Sequence, residues 1–231
     1  SGTILMSSER FHADPNNALH AFAHADGGWY LMGCMLSAAS CSQWFMEDIL
    51  HSPDYAGEQA NICAEALGQN RVFFLPYLMG ERSPINDTDA RGLFIGLSRD
   101  TSRADMLQAV FEGVAFALRD SLEAAKQRGI DISHATISGG GSASPLWTNI
   151  LANVLGIHLD APIAKDPGYG AAMLAMTACG VFRDLREAAA KLVHVQAAAR
   201  PDKALAALYD AKYRQFREIY PACETLFKKL K

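Results

Sequence analysis

The middle of this chain is organised around one glycine-rich run, Ile137-Ser138-Gly139-Gly140-Gly141-Ser142-Ala143-Ser144-Pro145. Strand-like residues precede the run and apolar residues at helical spacing follow it, so the sequence predicts a strand, a tight turn and a helix. Ser144 is a favoured residue at the cap of a helix N-terminus, and Pro145 fits the first helical position. Consecutive glycines let a ligand approach the backbone and a helix N-terminus attracts phosphate, so the turn is a candidate nucleotide site. The spacing matches neither a dinucleotide-binding fingerprint nor a P-loop with its lysine, and a tight turn without a ligand stays open as the alternative.

The composition is that of an ordinary globular protein. Of 231 residues, 50% are hydrophobic and 20% are charged, which is enough for one large domain or two small ones. The formal net charge of −4 and the lack of a lysine/arginine cluster argue against nucleic acid and anionic membranes as partners. The five cysteines are scattered without CxxC spacing, which predicts reduced thiols. With no signal-peptide pattern and no membrane-spanning stretch, we expect a cytoplasmic location.

The order of the predicted elements indicates an α/β fold. Three short strands with turns between them open the chain, and strands then alternate with helices, which predicts a layered domain with mixed strand directions. The predicted strands cover 3–6, 18–24, 28–36, 72–75, 92–97, 134–137 and 158–159. The predicted helices cover 37–50, 58–67, 102–128, 145 onward, 171–179, 184–192 and 201–230. The segment Asp166-Pro167-Gly168-Tyr169-Gly170 precedes the predicted helix 171–179, Asp166 is interpreted as a loop residue, and Pro221 is expected to interrupt the last helix.

A second candidate phosphate site lies at the start of the predicted helix 37–50. Its first turn, Ser37-Ala38-Ala39-Ser40, carries only small side chains, so another group can approach this helix N-terminus closely. That group is either a phosphate or a closely packed neighbouring element, and both interpretations stay open.

No pattern in the chain predicts a metal site or a catalytic residue. His20 and His24 would share one face of a strand, but no third ligand follows at a fixed spacing, so we interpret them as structural. The carboxylate-rich segment 86–89 lacks the glycine and terminal glutamate of a calcium loop, which favours a polar turn. The adjacent charges of Glu81 and Arg82 are interpreted as solvated or paired with neighbours.

Several separated motifs resemble the C-terminal domain of the FGGY carbohydrate kinases. The pattern Gly92-x-Phe94-x-Gly96-Leu97, followed after seven residues by Asp105-Met106-x-x-Ala109-Val110-Phe111-Glu112, fits the C-terminal signature of that family. The segments that look like its xylulokinase branch are 18–24, 35–41, 74–84, 139–147 and 170–172. Because these motifs agree in order and spacing over nearly the whole chain, the chain is identified as a member of this family.

The resemblance implies an actin-like ATPase (ribonuclease H-like) fold, a mixed sheet flanked by helices. It implies that residues 1–231 are the C-terminal ATP-binding domain of a two-domain sugar kinase, which transfers the γ-phosphate of ATP to a sugar hydroxyl with the help of Mg²⁺. Gly140, Gly141 and Ser144 match positions that hold the adenosine. The candidate ATP-binding residues are therefore Gly139, Gly140, Gly141, Ser144, Ser37 and Ala38. Valine at Gly140 or Gly141 is predicted to weaken nucleotide binding far more than folding, because its side chain would occupy the space of the adenosine.

The resemblance also implies what this chain lacks. The general-base aspartate and most of the sugar site would belong to an N-terminal domain before residue 1, and the sugar would bind in the cleft between the two domains. Ser1-Gly2 look like the end of the family's second phosphate loop, Gly-Thr-Ser-Gly. We therefore expect ATP or ADP, a sugar and the N-terminal domain as partners, and no activity from this chain alone.

The complete enzyme is expected to phosphorylate D-xylulose at a primary hydroxyl. Two alternatives stay open: an FGGY kinase for another sugar or polyol (ribulose, gluconate or glycerol), and a free-standing nucleotide-binding regulatory module. Assembly into a homodimer is also left open.

Overall fold

The computed structural model describes residues 1–230, which form three small sheets and seven helices around one shared hydrophobic core. The strands are β1 (Gly2–Ser8), β2 (His20–Ala23), β3 (Trp29–Met35), β4 (Phe73–Leu75), β5 (Leu93–Ile95), β6 (His134–Thr136), β7 (His158–Pro162) and β8 (Val195–Ala199). The helices are α1 (Ala39–Trp44), α2 (Tyr55–Ala60), α3 (Arg103–Lys126), α4 (Pro145–Leu155), α5 (Pro167–Ala178), α6 (Leu185–Leu192) and α7 (Lys203–Phe227). Within residues 1–230, every helix is too short or too polar to cross a bilayer.

The first sheet is the predicted N-terminal meander. β3 lies between β1 and β2 and pairs antiparallel with both. The turn between β2 and β3 places Gly27 at a φ of 89°, in the left-handed region that favours glycine. Leu31 and Met35 alternate along β3 on the face that enters the core, so the period-2 pattern of this strand fixes which side of the sheet is buried.

Helix α3 is the centre of the domain and packs against β1, β3, β4 and α4. It begins with the predicted capping box, in which Ser102 accepts a hydrogen bond from the Asp105 backbone while the Asp105 carboxylate accepts one from the Ser102 backbone. A Cβ at Gly113 would lie 2.2 Å from the carbonyl oxygen of Phe74. The missing side chain at Gly113 is therefore what allows β4 to cross the helix so closely.

The second large sheet carries the glycine-rich turn at one end. β6 pairs parallel with β7, and β7 pairs antiparallel with β8. The chain leaves β6 through the glycine-rich run and enters α4, which confirms the predicted strand, turn and helix. β8 was not predicted, because its sequence, Val195–Ala199, is exposed except for its last residue and carries little apolar periodicity. Its strand conformation comes from pairing with β7.

Three predicted helices differ in extent from the observed ones. The helix predicted over 37–50 begins at Ala39 and continues after α1 as a π-helical turn, Phe45–Ile49. The helix predicted over 58–67 is the shorter α2 followed by a separate 3₁₀ turn, Ala64–Ala66. The helix predicted from Ala171 begins earlier, at Pro167, because Asp166 caps α5 and Pro167 fits its first turn.

The prediction that Pro221 interrupts the last helix is wrong. α7 is continuous over Lys203–Phe227 with the proline inside it. Tyr213, Phe216 and Ile219 before the proline and Phe227 after it are all buried. Burial of this face on both sides of Pro221 compensates for the one backbone hydrogen bond that proline cannot make.

Candidate functional site

A cavity of about 280 Å³ lies where the glycine-rich turn faces the start of β1. We call it the glycine-loop cavity. Residues 1–3 adjoin Ala38 and together with Ala38 and Ala39 form one wall, and residues 137–142 form another. Its floor is apolar and is made by Val114, Leu118, Trp147 and Leu151. β1 and β6 belong to different sheets in the described part of the chain, so the cavity opens between the edges of two sheets.

The glycine-rich turn is short and internally hydrogen-bonded. Gly139 has a φ of 100°, which only glycine adopts readily, and residues 140–143 then form a single 3₁₀ turn. The Ser142 hydroxyl donates to the Gly139 carbonyl over 2.7 Å. Ser144 caps α4 by accepting from the backbone N–H of Trp147 over 3.0 Å, as its position before Pro145 predicts.

The three glycines of the turn have different surroundings. A Cβ at Gly141 would lie 2.8 Å from a ring carbon of Trp147, whereas a Cβ at Gly140 would have no neighbour within 4 Å. Gly141 is thus needed for packing and Gly139 for its backbone angle, while Gly140 leaves open space at the cavity wall. At Gly141 the close ring of Trp147 predicts that valine would weaken folding as well, and at Gly140 the expectation that valine would largely spare folding stays a prediction.

Ser144 lies beside the cavity and is not part of its lining. Its hydroxyl donates to Oε1 of Gln59 over 2.5 Å and accepts from the Trp147 backbone. Both hydrogen-bonding functions of this hydroxyl are used within the chain, so Ser144 joins α2 to the turn. Any contact of Ser144 with a nucleotide would have to replace the bond to Gln59.

The small-residue turn at residues 37–40 is brought against the start of the chain. A Cβ at Gly2 would lie 2.6 Å from the Cβ of Ala38, so the group that approaches this turn closely is the backbone of Gly2. Ala38 lines the glycine-loop cavity, but Ser37 is only 1% exposed and its hydroxyl has no hydrogen-bond partner in the described chain. Ser1-Gly2 and Ala38, which are far apart in sequence, thus share one wall of the cavity with the glycine-rich turn opposite.

Glu81 lies next to the segment that carries Ala38, and of the two interpretations given for it, solvated or paired with neighbours, the solvated one is wrong. The residue is 3% exposed, and its Oε1 atom accepts from the backbone N–H groups of Leu36 over 3.0 Å and Arg82 over 2.7 Å. Burial raises the pKa of the Glu81 carboxyl to about 7, even though both backbone hydrogen bonds lower it. Because Glu81 holds the chain where it leaves β3 towards Ala38, it is a positioning residue.

Residues 1–230 contain no group of three or more histidine, cysteine, aspartate or glutamate side chains that could hold a metal ion. His24 Nδ1 lies 2.7 Å from Asp26. In the segment 86–89, Asp87 accepts from the Tyr220 hydroxyl over 2.7 Å. No residue within 1–230 is assigned to the Mg²⁺ that an ATP-dependent reaction would require.

Comparisons of the sequence with known proteins agree on one family. The model of the C-terminal domain of the FGGY family of carbohydrate kinases matches residues 1–179. The xylulose kinase of Escherichia coli (strain K12) is 37% identical over 227 residues, which are 95% of this chain and 46% of that protein. The xylulose kinase of Klebsiella pneumoniae is 38% identical over 230 residues, which are 98% of this chain and 47% of that protein.

Solved structures agree with the sequence comparisons. A xyloylose kinase from Brucella ovis superposes with a TM-score of 0.87 at 34% identity, covering 97% of this chain and 46% of that chain. A gluconate kinase from Lactobacillus acidophilus superposes with a TM-score of 0.86 at 26% identity, covering 99% of this chain and 47% of that chain. The present chain thus spans about half the length of the relatives that it matches.

Proposed function

The chain belongs to the FGGY family of carbohydrate kinases, whose C-terminal domain and actin-like ATPase fold it carries, and on this basis we propose that it is the nucleotide-binding half of a xylulose kinase. The observation that carries the proposal is the open backbone at Gly140. This glycine lies on the wall of the glycine-loop cavity and no atom would contact a Cβ there. The base and ribose of ATP would pack against this turn, and the phosphates would extend towards Gly2 and Ala38.

The division of labour between two domains suits phosphoryl transfer. Catalysis of this reaction depends mainly on positioning the two reactants and neutralising charge. In the proposed enzyme, Gly139, Gly140 and Gly141 position the nucleotide, and the N-terminal half of the relatives' length presents the sugar hydroxyl and the general base. Mg²⁺ would neutralise charge on the phosphates. Closure of the two halves would exclude water, which otherwise competes as the phosphate acceptor.

The proposed acceptor is a primary hydroxyl of D-xylulose. The two curated relatives described above are both named xylulose kinases and share 37% and 38% identity with this chain. A kinase for another sugar is the second candidate, since a gluconate kinase superposes almost as well, with a TM-score of 0.86. This half of the fold therefore distinguishes poorly between acceptors. The cytoplasmic location and the homodimer stay predictions.

An NMR titration of the ¹⁵N-labelled chain with ADP tests the nucleotide site. We expect saturable shifts of the backbone amides at Gly139–Ser142, with smaller shifts at Gly2 and Ala38. D-Xylulose, added without nucleotide, should leave the same amides unchanged. Shifts that saturate elsewhere, with the glycine-rich turn unaffected, would remove the nucleotide site from this cavity.

A further inference from the structure

A second cavity, of about 260 Å³, lies between α3 and α7. We call it the α3–α7 cavity. Its lining residues come from α3, from the residues just after it, from α7, and from loops: Asp120, Glu123 and Ala124 of α3, then Gln127 and Arg128, then Tyr213, Phe216, Arg217, Tyr220 and Pro221 of α7, and finally Asn16, Ala18, Tyr77, Pro84 and Ile85. It shares no lining residue with the glycine-loop cavity, so any ligand here is separate from the proposed nucleotide.

One buried polar group at this cavity lacks a partner. The guanidinium of Arg128 pairs with Asp14 through one terminal nitrogen, but its Nε–H is buried without a partner in the described part of the chain. An unpaired buried polar group destabilises the folded state. Tyr77 is 1% exposed and lines the same cavity, so its hydroxyl is a further hydrogen-bonding group there. The contents of the cavity are therefore expected to hydrogen-bond to Arg128 and Tyr77.

The same cavity also offers acceptors. The Asp120 side chain is 13% exposed and uses only its Oδ1 atom, which accepts from the Tyr213 hydroxyl over 2.5 Å and lies 3.7 Å from Nε of Arg217. Oδ2 of Asp120 stays free for another donor. Pro221 has no N–H, so the carbonyl of Arg217 loses the helical partner it would normally have four residues later. Asp120, Arg217 and Pro221 all line the cavity.

The charges of the lining define the class of ligand. Two carboxylates, Asp120 and Glu123, are balanced by two guanidinium groups, Arg128 and Arg217. The lining therefore carries no net charge that would favour an anion or a cation. A phosphate would need an excess of cations and an ammonium group an excess of carboxylates. The mixture of free donors and acceptors instead suits hydroxyl groups, each of which both donates and accepts.

Shape and size agree with this chemistry. The rings of Tyr77, Tyr213, Phe216 and Tyr220 line the cavity and offer apolar surface for C–H groups. The volume of about 260 Å³ lies just below the range typical of sites for drug-sized ligands, which is about 300–1,000 Å³. A molecule of a few carbon atoms fits within it.

We propose that the α3–α7 cavity is a binding site for a small neutral polyhydroxylated molecule, a polyol or a free sugar, with Tyr77, Arg128 and Asp120 as its hydrogen-bond partners. The site is independent of the proposed nucleotide site. It would give the domain a second place at which a compound of the substrate's chemical class binds, away from the glycine-rich turn.

Xylitol is the probe for this site, because it is neutral, carries only hydroxyl groups and cannot be confused with a nucleotide. In an NMR titration of the ¹⁵N-labelled chain we expect saturable shifts around Tyr77, Asp120 and Arg128, and none at Gly139–Ser142. Inorganic phosphate and ammonium chloride at the same concentration should not reproduce them. The absence of saturable xylitol binding at millimolar concentrations would overturn the proposal, since the cavity would then hold only water.

Single-atom variants separate a bound polyol from a general effect of added solute. Tyr77→Phe removes one neutral hydrogen bond and should weaken xylitol binding about 2- to 12-fold. Tyr55→Phe removes a hydroxyl outside the cavity, one that donates to Glu47, and should leave the dissociation constant unchanged. If Tyr77→Phe does not fold, Asp120→Asn serves as the second variant, because it keeps the shape of the side chain. Unchanged xylitol affinity in a folded Tyr77→Phe or Asp120→Asn protein would contradict the assigned contacts.

Discussion

Replacement of Gly140 by valine separates nucleotide binding from folding. A Cβ at this position would have no neighbour within 4 Å and the residue does not have a positive φ, so we expect the folded chain to accommodate the new side chain. The same substitution at Gly141 would place a Cβ 2.8 Å from the ring of Trp147. The same substitution is therefore expected to affect nucleotide binding at Gly140 and folding at Gly141.

The size of each effect follows from steric overlap. In Gly140→Val the overlap arises only when the nucleotide packs against the turn. Forcing extra methyl groups into a filled site costs about 1–3 kcal/mol, which corresponds to a rise of about 5- to 150-fold in the dissociation constant of ADP. In Gly141→Val a similar free-energy cost destabilises the folded state instead. For a chain of this length it would lower the melting temperature by about 2–12 °C.

The assay combines calorimetric titration of ADP with thermal unfolding of each protein. Gly170→Val is the matched control, since Gly170 also has no atom within 4 Å of a Cβ and no positive φ, but lies outside the glycine-loop cavity. We expect Gly140→Val to lose affinity at an unchanged melting temperature, and the control to keep both. Parental ADP affinity in a normally folded Gly140→Val protein would refute the reasoning and leave the turn as a structural element only.

Two buried charges give further predictions. Because the pKa of the Glu81 carboxyl is raised from 4.5 to about 7, the folded state binds more protons at this group than the unfolded state between these values. The contribution of Glu81 to stability is therefore largest below about pH 4.5 and falls as the pH rises through about 7. The pKa shift corresponds to a loss of about 3 kcal/mol in the free energy of unfolding. Urea unfolding at about pH 5 and pH 8 should show this loss in the parent chain and not in Glu81→Gln. Equal losses in both proteins would show that Glu81 does not titrate in this range. The ammonium of Lys212 is buried against Glu112, with side chains 4% and 1% exposed, so Lys212→Met should destabilise by about 3–5 kcal/mol. Adding Glu112→Gln to Lys212→Met should restore part of the lost free energy of unfolding. A loss below about 1 kcal/mol in Lys212→Met alone would mean that other groups satisfy the charge of Glu112.

The parts of the fold that could be predicted depend on contacts between close neighbours in the sequence. Ser102 and Asp105 cap α3 across three residues, Gly27 closes a hairpin, and Ser144 with Pro145 starts α4. In each case a side chain or a glycine acts on backbone within one turn, so the residue type is itself the signal. The start of α5 carries the same signal in Asp166 and Pro167, but the predicted helix begins only at Ala171.

The remaining parts depend on pairs that are distant in sequence. Glu81 holds the backbone of Leu36 across 45 residues, and Ser144 bonds Gln59 across 85 residues. No local pattern distinguishes a buried, bonded glutamate from a solvated one. The candidate site was predicted in its main element, the glycine-rich turn, whereas the approach of Gly2 to Ala38 and the distinct surroundings of Gly140 and Gly141 required the tertiary structure.

The central claim is that this chain contributes the nucleotide site of a kinase and depends on a second half for the acceptor and the base. The most direct measurement is ADP release from ATP and Mg²⁺ in the presence of D-xylulose, recorded for the chain alone and after addition of the N-terminal half of a xylulose kinase relative. Loss of a positioned base alone lowers rates by about two to four orders of magnitude, so we predict no xylulose-dependent ADP release from the chain alone. Addition of the N-terminal half should produce it, and Gly140→Val should reduce it at subsaturating ATP. Robust xylulose phosphorylation by residues 1–231 alone would contradict the account, because the chain would then contain its own base and sugar site.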